Sequence, residues 1–250
     1  MKNNLTNTNW EKYGSIGILT ISNPPDNLIS DPSFASTDYL KEILSDPDLK
    51  SMIIRGEGRH FSAGADMEKL KEMAGNREFL SSKMAAGKDT IRFIENIHIP
   101  VVAEISGVCF GAGLEIALSC HIRILSEKAM LAFPETNHGI MPGMGGSVLL
   151  SKLLGTGRAA EIILSGNIIN ATKALELGLA DHVVPKKELH NFTIDFLKIL
   201  TADRDINVIT SVMKSIQNAQ SMPFEKALEE ETRLFCDLAV KSMQDHDHHL

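Results

Sequence analysis

Two glutamates set in apolar surroundings, Glu115 and Glu135, are the residues whose types and spacing point first to chemistry. Both fall in the stretch Ile99 to Gly146, which reads as a buried strand, a glycine turn opening a helix, two short strands and a second glycine turn. A carboxylate in such a place is unfavourable unless it is paired, hydrogen-bonded or protonated. Two of them near one reacting centre hold divergent pKa values, so that one can take a proton and the other give one. Residue type alone leaves a second reading open, with one glutamate exposed and the other making a structural hydrogen bond.

Two glycine turns, each leading into a helix, supply the second ingredient: Ser62-Ala63-Gly64-Ala65-Asp66 and Gly111-Ala112-Gly113. Small residues let a ligand approach the backbone, and the first N–H groups of a helix have no internal acceptor. Facing each other, such turns would aim two donors at one oxygen, the requirement for stabilising an oxyanion or enolate. Taken singly, each is also an ordinary tight turn.

Other motifs fail on context. Gly155-Thr156-Gly157-Arg158-Ala159-Ala160 matches a loose dinucleotide fingerprint but follows a helix-like segment instead of a strand. The Gly143 to Gly146 turn lacks the lysine and hydroxyl of a phosphate-binding loop, and no serine sits in a nucleophile elbow. Cys109, Cys120 and Cys236 have no metal-type spacing and read as core thiols. His121 and His138 are candidates for proton transfer or, in the plainer reading, packed residues; no metal site is expected. The C-terminal QDHDHH is read as a solvated tail.

The elements that must position these groups follow from periodicity. Ser15 to Ser22 and Lys50 to Gly56 read as strands, joined by a helix starting at Asp31-Pro32 and carrying Phe34, Leu40, Ile43 and Leu44 inward. Strand, helix, strand is the pattern of a crossover unit in an α/β protein. A helix follows Asp66, another spans Asn76 to Ile97, and Val101 to Ser106 is the next strand. Gly107 to Gly113 reads as a turn, Leu114 to Cys120 as a helix, and Ile122–Leu125 and Met130–Phe133 as brief strands. From Gly146 the chain reads as mostly helical, and from about Asp203 wholly so. The last helix carries Phe224, Leu228, Phe235 and Leu238 at helical spacing, a stripe that must bury against something. A small helical subdomain packing on a neighbouring subunit fits it.

The whole-chain balance narrows the function classes. The 250 residues are 43% apolar and 23% charged, as in an ordinary globular protein of one large domain or a core with an appendage. A net charge of −7 with 5% aromatics and no basic cluster argues against a nucleic-acid surface. No apolar run approaches the roughly 18–20 residues of a membrane span. The N-terminal segment lacks the apolar core of a signal peptide, so a cytoplasmic location is expected.

Taken together, the segments HFSAGADMEKL (60–70), IPVVAEISGVCFGAGLEIALSCHIRIL (99–125), FPETNHGIMPGMGG (133–146) and GTGRAAEIILSGNIINATKALELGLADHVVP (155–185) resemble the enoyl-CoA hydratase/isomerase (crotonase) superfamily. The resemblance implies an α/β spiral of ββα units over residues 1–202. It also implies a C-terminal helical trimerisation region over 203–250, in a homotrimer or a hexamer built from two trimers. It implies acyl-CoA thioesters as substrates, with coenzyme A carried by the substrate and no resident cofactor. By resemblance the oxyanion donors are the N–H groups of Ala65 and Ala112, the latter standing where most relatives have glycine. Ala63, Gly64, Asp66 and Met67 would lie along the coenzyme, with Asp26 and Leu28 in the loop at its nucleotide end; Gly111 and Gly143 complete the binding set. Glu115 becomes the base on a water and Glu135 the proton donor to the α-carbon.

Keeping both carboxylates favours hydration of a 2-enoyl thioester over double-bond isomerisation or decarboxylation on the same fold, and over a non-catalytic scaffold. The sequence departs from the family at His121, where aspartate is usual, at Asn137-His138, where apolar residues are usual, and in its polar C-terminal end. A polar His138 near Glu135 would either shift the pKa of that carboxyl or point to an unusual acyl group, which leaves a biosynthetic role open beside fatty-acid breakdown.

Overall fold

The computed structural model describes residues 2–3 and 7–247. Its main sheet has seven strands in the spatial order β1 (Lys2–Asn3), β2 (Thr8–Tyr13), β3 (Ile16–Ile21), β4 (Ser51–Gly56), β5 (Val101–Ile105), β7 (Ile122–Ser126) and β10 (His182–Val184). From β3 to β10 all neighbours are parallel, whereas β1, β2 and β3 form an antiparallel edge. Parallel strands covered on both faces need apolar residues at consecutive positions, and β3 and β5 are buried along their whole length. Their side chains divide by alternation: Leu19, Met52, Ile54, Ala103 and Leu125 enter the large core on one face. Ile18, Ile53, Val102 and Ile124 enter a smaller core on the other.

Helix α8 (Leu189–Thr201) covers that smaller face with Leu189, Ile194 and Leu197. The large face is covered by α1 (Thr37–Leu44), α3 (Arg77–Glu95) and α4 (Ala112–Ser119). A short helix, α2 (Met67–Ala74), precedes α3 and has no buried residue. A second sheet of three short strands, β6 (Val108–Phe110), β8 (Met130–Ala132) and β9 (Ile169–Asn170), stands beyond the ends of β5 and β7. Helices α5 (Gly146–Leu154), α6 (Thr156–Ser165) and α7 (Ala171–Leu177) follow, and α9 (Ile206–Ser221) and α10 (Phe224–Asp247) end the described chain. No described helix is long and apolar enough to cross a membrane.

Several sequence expectations are corrected. The first helix begins at Thr37, not at Asp31: Ser36 is its N-cap and accepts from Tyr39 N. Asp31 instead accepts from the backbone N (2.9 Å) and Oγ (2.7 Å) of Ser33 and pairs with Lys83, so its capping capacity is used in a turn. Phe34 and Ala35 are buried from that irregular segment. The Gly107–Gly113 turn contains β6, and the helical C-terminal half contains β9 and β10. Strand β2, flanked on its outer side by the two-residue β1, was not expected at all: its sequence TNWEKY is mostly polar, and the Trp10 ring lies where a Cβ on Gly17 would be.

Within this chain the apolar stripe of α10 is covered only at Leu238, which is half-buried. Phe224 is 73% exposed and Phe235 69% exposed. The polar end, residues 245–250, lies outside the side chains the structure describes.

Candidate active site

Helix α4 begins at the turn after β6, and its first turn carries Glu115, whose backbone N donates to Gly111 O at 2.9 Å. The Glu115 side chain is 2% exposed. Its Oε1 accepts from Met144 N at 2.7 Å and from Gly146 N at 2.8 Å. Burial raises its pKa above the ordinary carboxylate value, and the backbone amides of the Gly143–Gly146 turn oppose the rise. Gly143 therefore lies at the base of Glu115, as part of the turn that grips it.

Glu135 sits in a single 3₁₀ turn, Pro134–His138, after β8. Proline at the first position suits a helical start because its missing N–H would have no acceptor there. Thr136 Oγ1 donates to Ile163 O of α6 at 3.0 Å and ties the turn down. The Glu135 carboxyl rests on Gly111, since a Cβ built there would meet Oε1 at 2.8 Å. Gly111 has φ +48°, a conformation that glycine adopts without strain. Glu135 Oε2 is buried with no hydrogen-bond partner among the described residues. Burial lifts this carboxyl to about 7, its own backbone N–H lowers it, and the charge of Glu115 raises it further. The two carboxylates are thus within electrostatic reach at one end of α4, one held by two N–H donors and one with a bare oxygen.

The two donor turns also meet. Gly64 has φ +102°, and a Cβ there would lie 2.9 Å from Phe110 O and 3.8 Å from Ala112 N. Phe110 N donates to Ser62 O at 3.0 Å, and Gly113 packs on Ser62. Ala65 N and Ala112 N donate to no acceptor among the described residues. Gly64 O and Asp66 N are instead occupied by Ile29, and Asp66 caps α2 by accepting from Glu68 N and Lys69 N. Ala63 N donates to Asp26 O at 2.9 Å, which joins the Asp26–Leu28 loop to the first donor turn. Met67 opens α2 and is 47% exposed.

Two residues that hold this arrangement were not singled out from the sequence. Asn27, fully buried with φ +51°, donates through Nδ2 to Glu57 O (2.9 Å) and His60 O (2.8 Å). Ser62 Oγ donates to Asn27 O (2.8 Å) and accepts from Gly64 N (3.1 Å). The only sequence signal is the tolerance of asparagine for positive φ.

The histidines take other roles. His121 lies past the far end of α4, with Nδ1 accepting from Val101 N at 3.0 Å and Nε2 3.3 Å from Glu95 O. Burial lowers its pKa. His138 is exposed. Among the described residues no group of three or more His, Cys, Asp or Glu side chains could hold a metal ion.

An α/β core in which two donor turns meet and two glutamates lie within electrostatic reach of each other belongs to the crotonase class of folds. A solved enoyl-CoA hydratase from Polaromonas sp. JS666 superposes with a TM-score of 0.85 at 26% identity, over 92% of this chain and 90% of that one. The family model described as enoyl-CoA hydratase/isomerase matches residues 11–247, and the chain belongs to that family. It is 36% identical to a probable enoyl-CoA hydratase of Bacillus subtilis (strain 168), over 88% of this chain and 85% of that protein. It is 34% identical to a short-chain-enoyl-CoA hydratase of Clostridium acetobutylicum, over 92% and 88% respectively.

Proposed function

We propose that this chain adds water across the 2,3 double bond of a short 2-enoyl-CoA thioester to give the 3-hydroxyacyl-CoA. The observation that carries the reading is the divergence of the two carboxylates: Glu115 pinned by Met144 N and Gly146 N, Glu135 lifted to about 7 with an unpartnered oxygen. The two N–H donors on Glu115 favour its charged form and suit it to the part of base, while Glu135, lifted to about 7, keeps a proton available near neutral pH; that is the division of labour that hydration requires.

Ala65 N–H and Ala112 N–H receive the thioester oxygen. Glu115 takes a proton from water as its oxygen bonds to C3, the π electrons move onto the thioester oxygen, and Glu135 delivers its proton to C2 as the carbonyl re-forms. Exchange with solvent returns the proton gained by Glu115 and replaces the one lost by Glu135. The donors act where charge develops, so they stabilise the transition state more than the substrate. The Asp26–Leu28 loop, Ala63, Gly64, Asp66 and Met67 line the path of coenzyme A, which the substrate brings, and Gly111 and Gly143 keep the two carboxylates in place.

Residues 203–250 supply the contacts of a trimer, and the exposed Phe224 and Phe235 support that role. The short-chain assignment is supported by the name of the Clostridium relative.

Crotonyl-CoA should lose its conjugated-thioester absorbance on addition of the enzyme, and Glu115→Gln should slow this by orders of magnitude. Turnover of a 3-enoyl thioester without solvent oxygen appearing at C3, in an enzyme inert towards crotonyl-CoA, would replace hydration with isomerisation.

A further inference from the structure

We infer that Ser62 is the positioning residue of the donor pair, fixing both the Ala65 and the Ala112 N–H groups without itself touching substrate. The inference rests on the hydratase reading above. Ser62 is fully buried, opens the first donor turn and packs on the second.

The Ala65 N–H shares its peptide unit with Gly64 O, and in a planar trans peptide the two point in opposite directions. Gly64 O accepts from Ile29 N at 2.9 Å, so one edge of that peptide is held while the other aims the donor. Ser62 holds the peptide before it: Gly64 N donates to Ser62 Oγ at 3.1 Å, and Ser62 Oγ donates to Asn27 O at 2.8 Å. A hydroxyl can accept and donate at once. Gly64, at φ +102°, has a wide choice of backbone angles, and the hydroxyl removes that choice. The anchor is itself tied down, because the buried Asn27 side chain donates to Glu57 O and His60 O and accepts from Asn23 N at 3.1 Å.

The other side of Ser62 places the second donor. A Cβ on Gly113, the residue after Ala112, would lie 2.8 Å from Ser62 Cβ and 3.1 Å from its Oγ. The first turn of α4 therefore rests directly on Ser62, and the Phe110 N bond to Ser62 O holds the strand that leads into it. One side chain thus sets the direction of the Ala65 N–H and the spacing at which the Ala112 N–H faces it.

The test measures kcat, KM and Tm with crotonyl-CoA for the wild type and Ser62→Ala. Beside it runs the infrared carbonyl stretch of bound butyryl-CoA, isotope-labelled at its carbonyl, a saturated thioester that cannot be hydrated. Alanine keeps the contact with Gly113 and releases Gly64 N. Its kcat should fall about 10- to 100-fold, less than the outright loss of a donor, with KM within about threefold. The carbonyl stretch, lowered on the wild type as the donors polarise the oxygen, should return most of the way to its value in solution. Ser62→Cys offers a weaker acceptor, should fall between the two, and replaces the alanine variant if that does not fold. Gly113→Ala leaves the hydroxyl in place and pushes the turns apart, and should lower kcat in the same way.

A folded Ser62→Ala with the kcat and carbonyl stretch of the wild type would overturn the role of Ser62 and leave hydration standing. A loss confined to Tm or KM would do the same. A wild type that hydrates no thioester would overturn the functional reading itself; a carbonyl stretch unchanged between wild type and variant would then remove Ser62 as well.

Discussion

Replacing Glu135 by glutamine should make the folded protein more stable, and increasingly so as pH rises. Folding moves this carboxyl from an ordinary 4.5 to about 7. A group whose pKa is raised on folding binds its proton more tightly in the native state. Its favourable contribution is therefore present below about 4.5 and is lost as pH rises towards 7. At about 1.4 kcal/mol per pH unit the full shift corresponds to about 3 kcal/mol. Because the side chain is only partly shielded from solvent, we discount this to about 2 kcal/mol. Glutamine keeps the shape and never ionises, so its advantage over glutamate should grow by about 2 kcal/mol between pH 4.5 and pH 8. For a chain of this size that is about 4–8 °C in Tm. Thermal melts of wild type and Glu135→Gln at several pH values read the difference directly, while crotonyl-CoA hydration should be nearly abolished. A Tm difference that stays constant with pH would refute the premise that Glu135 is buried as an acid.

The same pair predicts a bell-shaped pH dependence of kcat/KM, falling in acid as Glu115 is protonated and falling above about 7 as Glu135 loses its proton; a flat profile from pH 5 to 9 would contradict it. Ala112→Pro removes one donor N–H at the first position of α4, where proline is tolerated, and should cut kcat about 100- to 1000-fold with Tm little changed. Gly111→Ala places a methyl 2.8 Å from Glu135 Oε1 at φ +48°; it should destabilise the fold by about 1–2 kcal/mol and lower kcat by orders of magnitude. Phe235→Asp, on the uncovered face of α10, should shift the sedimentation coefficient from that of a trimer or larger assembly to that of a single chain.

The parts of this architecture that were legible in the sequence are those in which one residue pattern has one physical solution. Short β-branched and apolar runs between turn signals, such as Val101–Ile105 with its single polar interruption at Glu104, read as strands covered on both faces, and Glu115 and Glu135 stand out because carboxylates are rare in such neighbours. The helix start at Asp31 was misplaced because an aspartate followed by proline satisfies the same local rule whether it caps a helix or a turn. The pairing with Lys83, 52 positions away in the chain, decides between them. Strand β2 was hidden because it is mostly polar and only the two-residue β1 lies outside it, which leaves little alternation to read. The convergence of the turns at Ala65 and Ala112 is set by β6 seating Phe110 on Ser62, a long-range contact with no local signature.

The close approach of Trp10 to Gly17 has a practical consequence. The chain contains a single tryptophan, and its indole is held over the bare backbone of Gly17 in the β2–β3 hairpin and packs against the large core. Intrinsic fluorescence excited at the tryptophan band will thus report the detachment of that hairpin from the core. An emission change that precedes loss of turnover during denaturation would mark fraying that begins at this border and spreads inward.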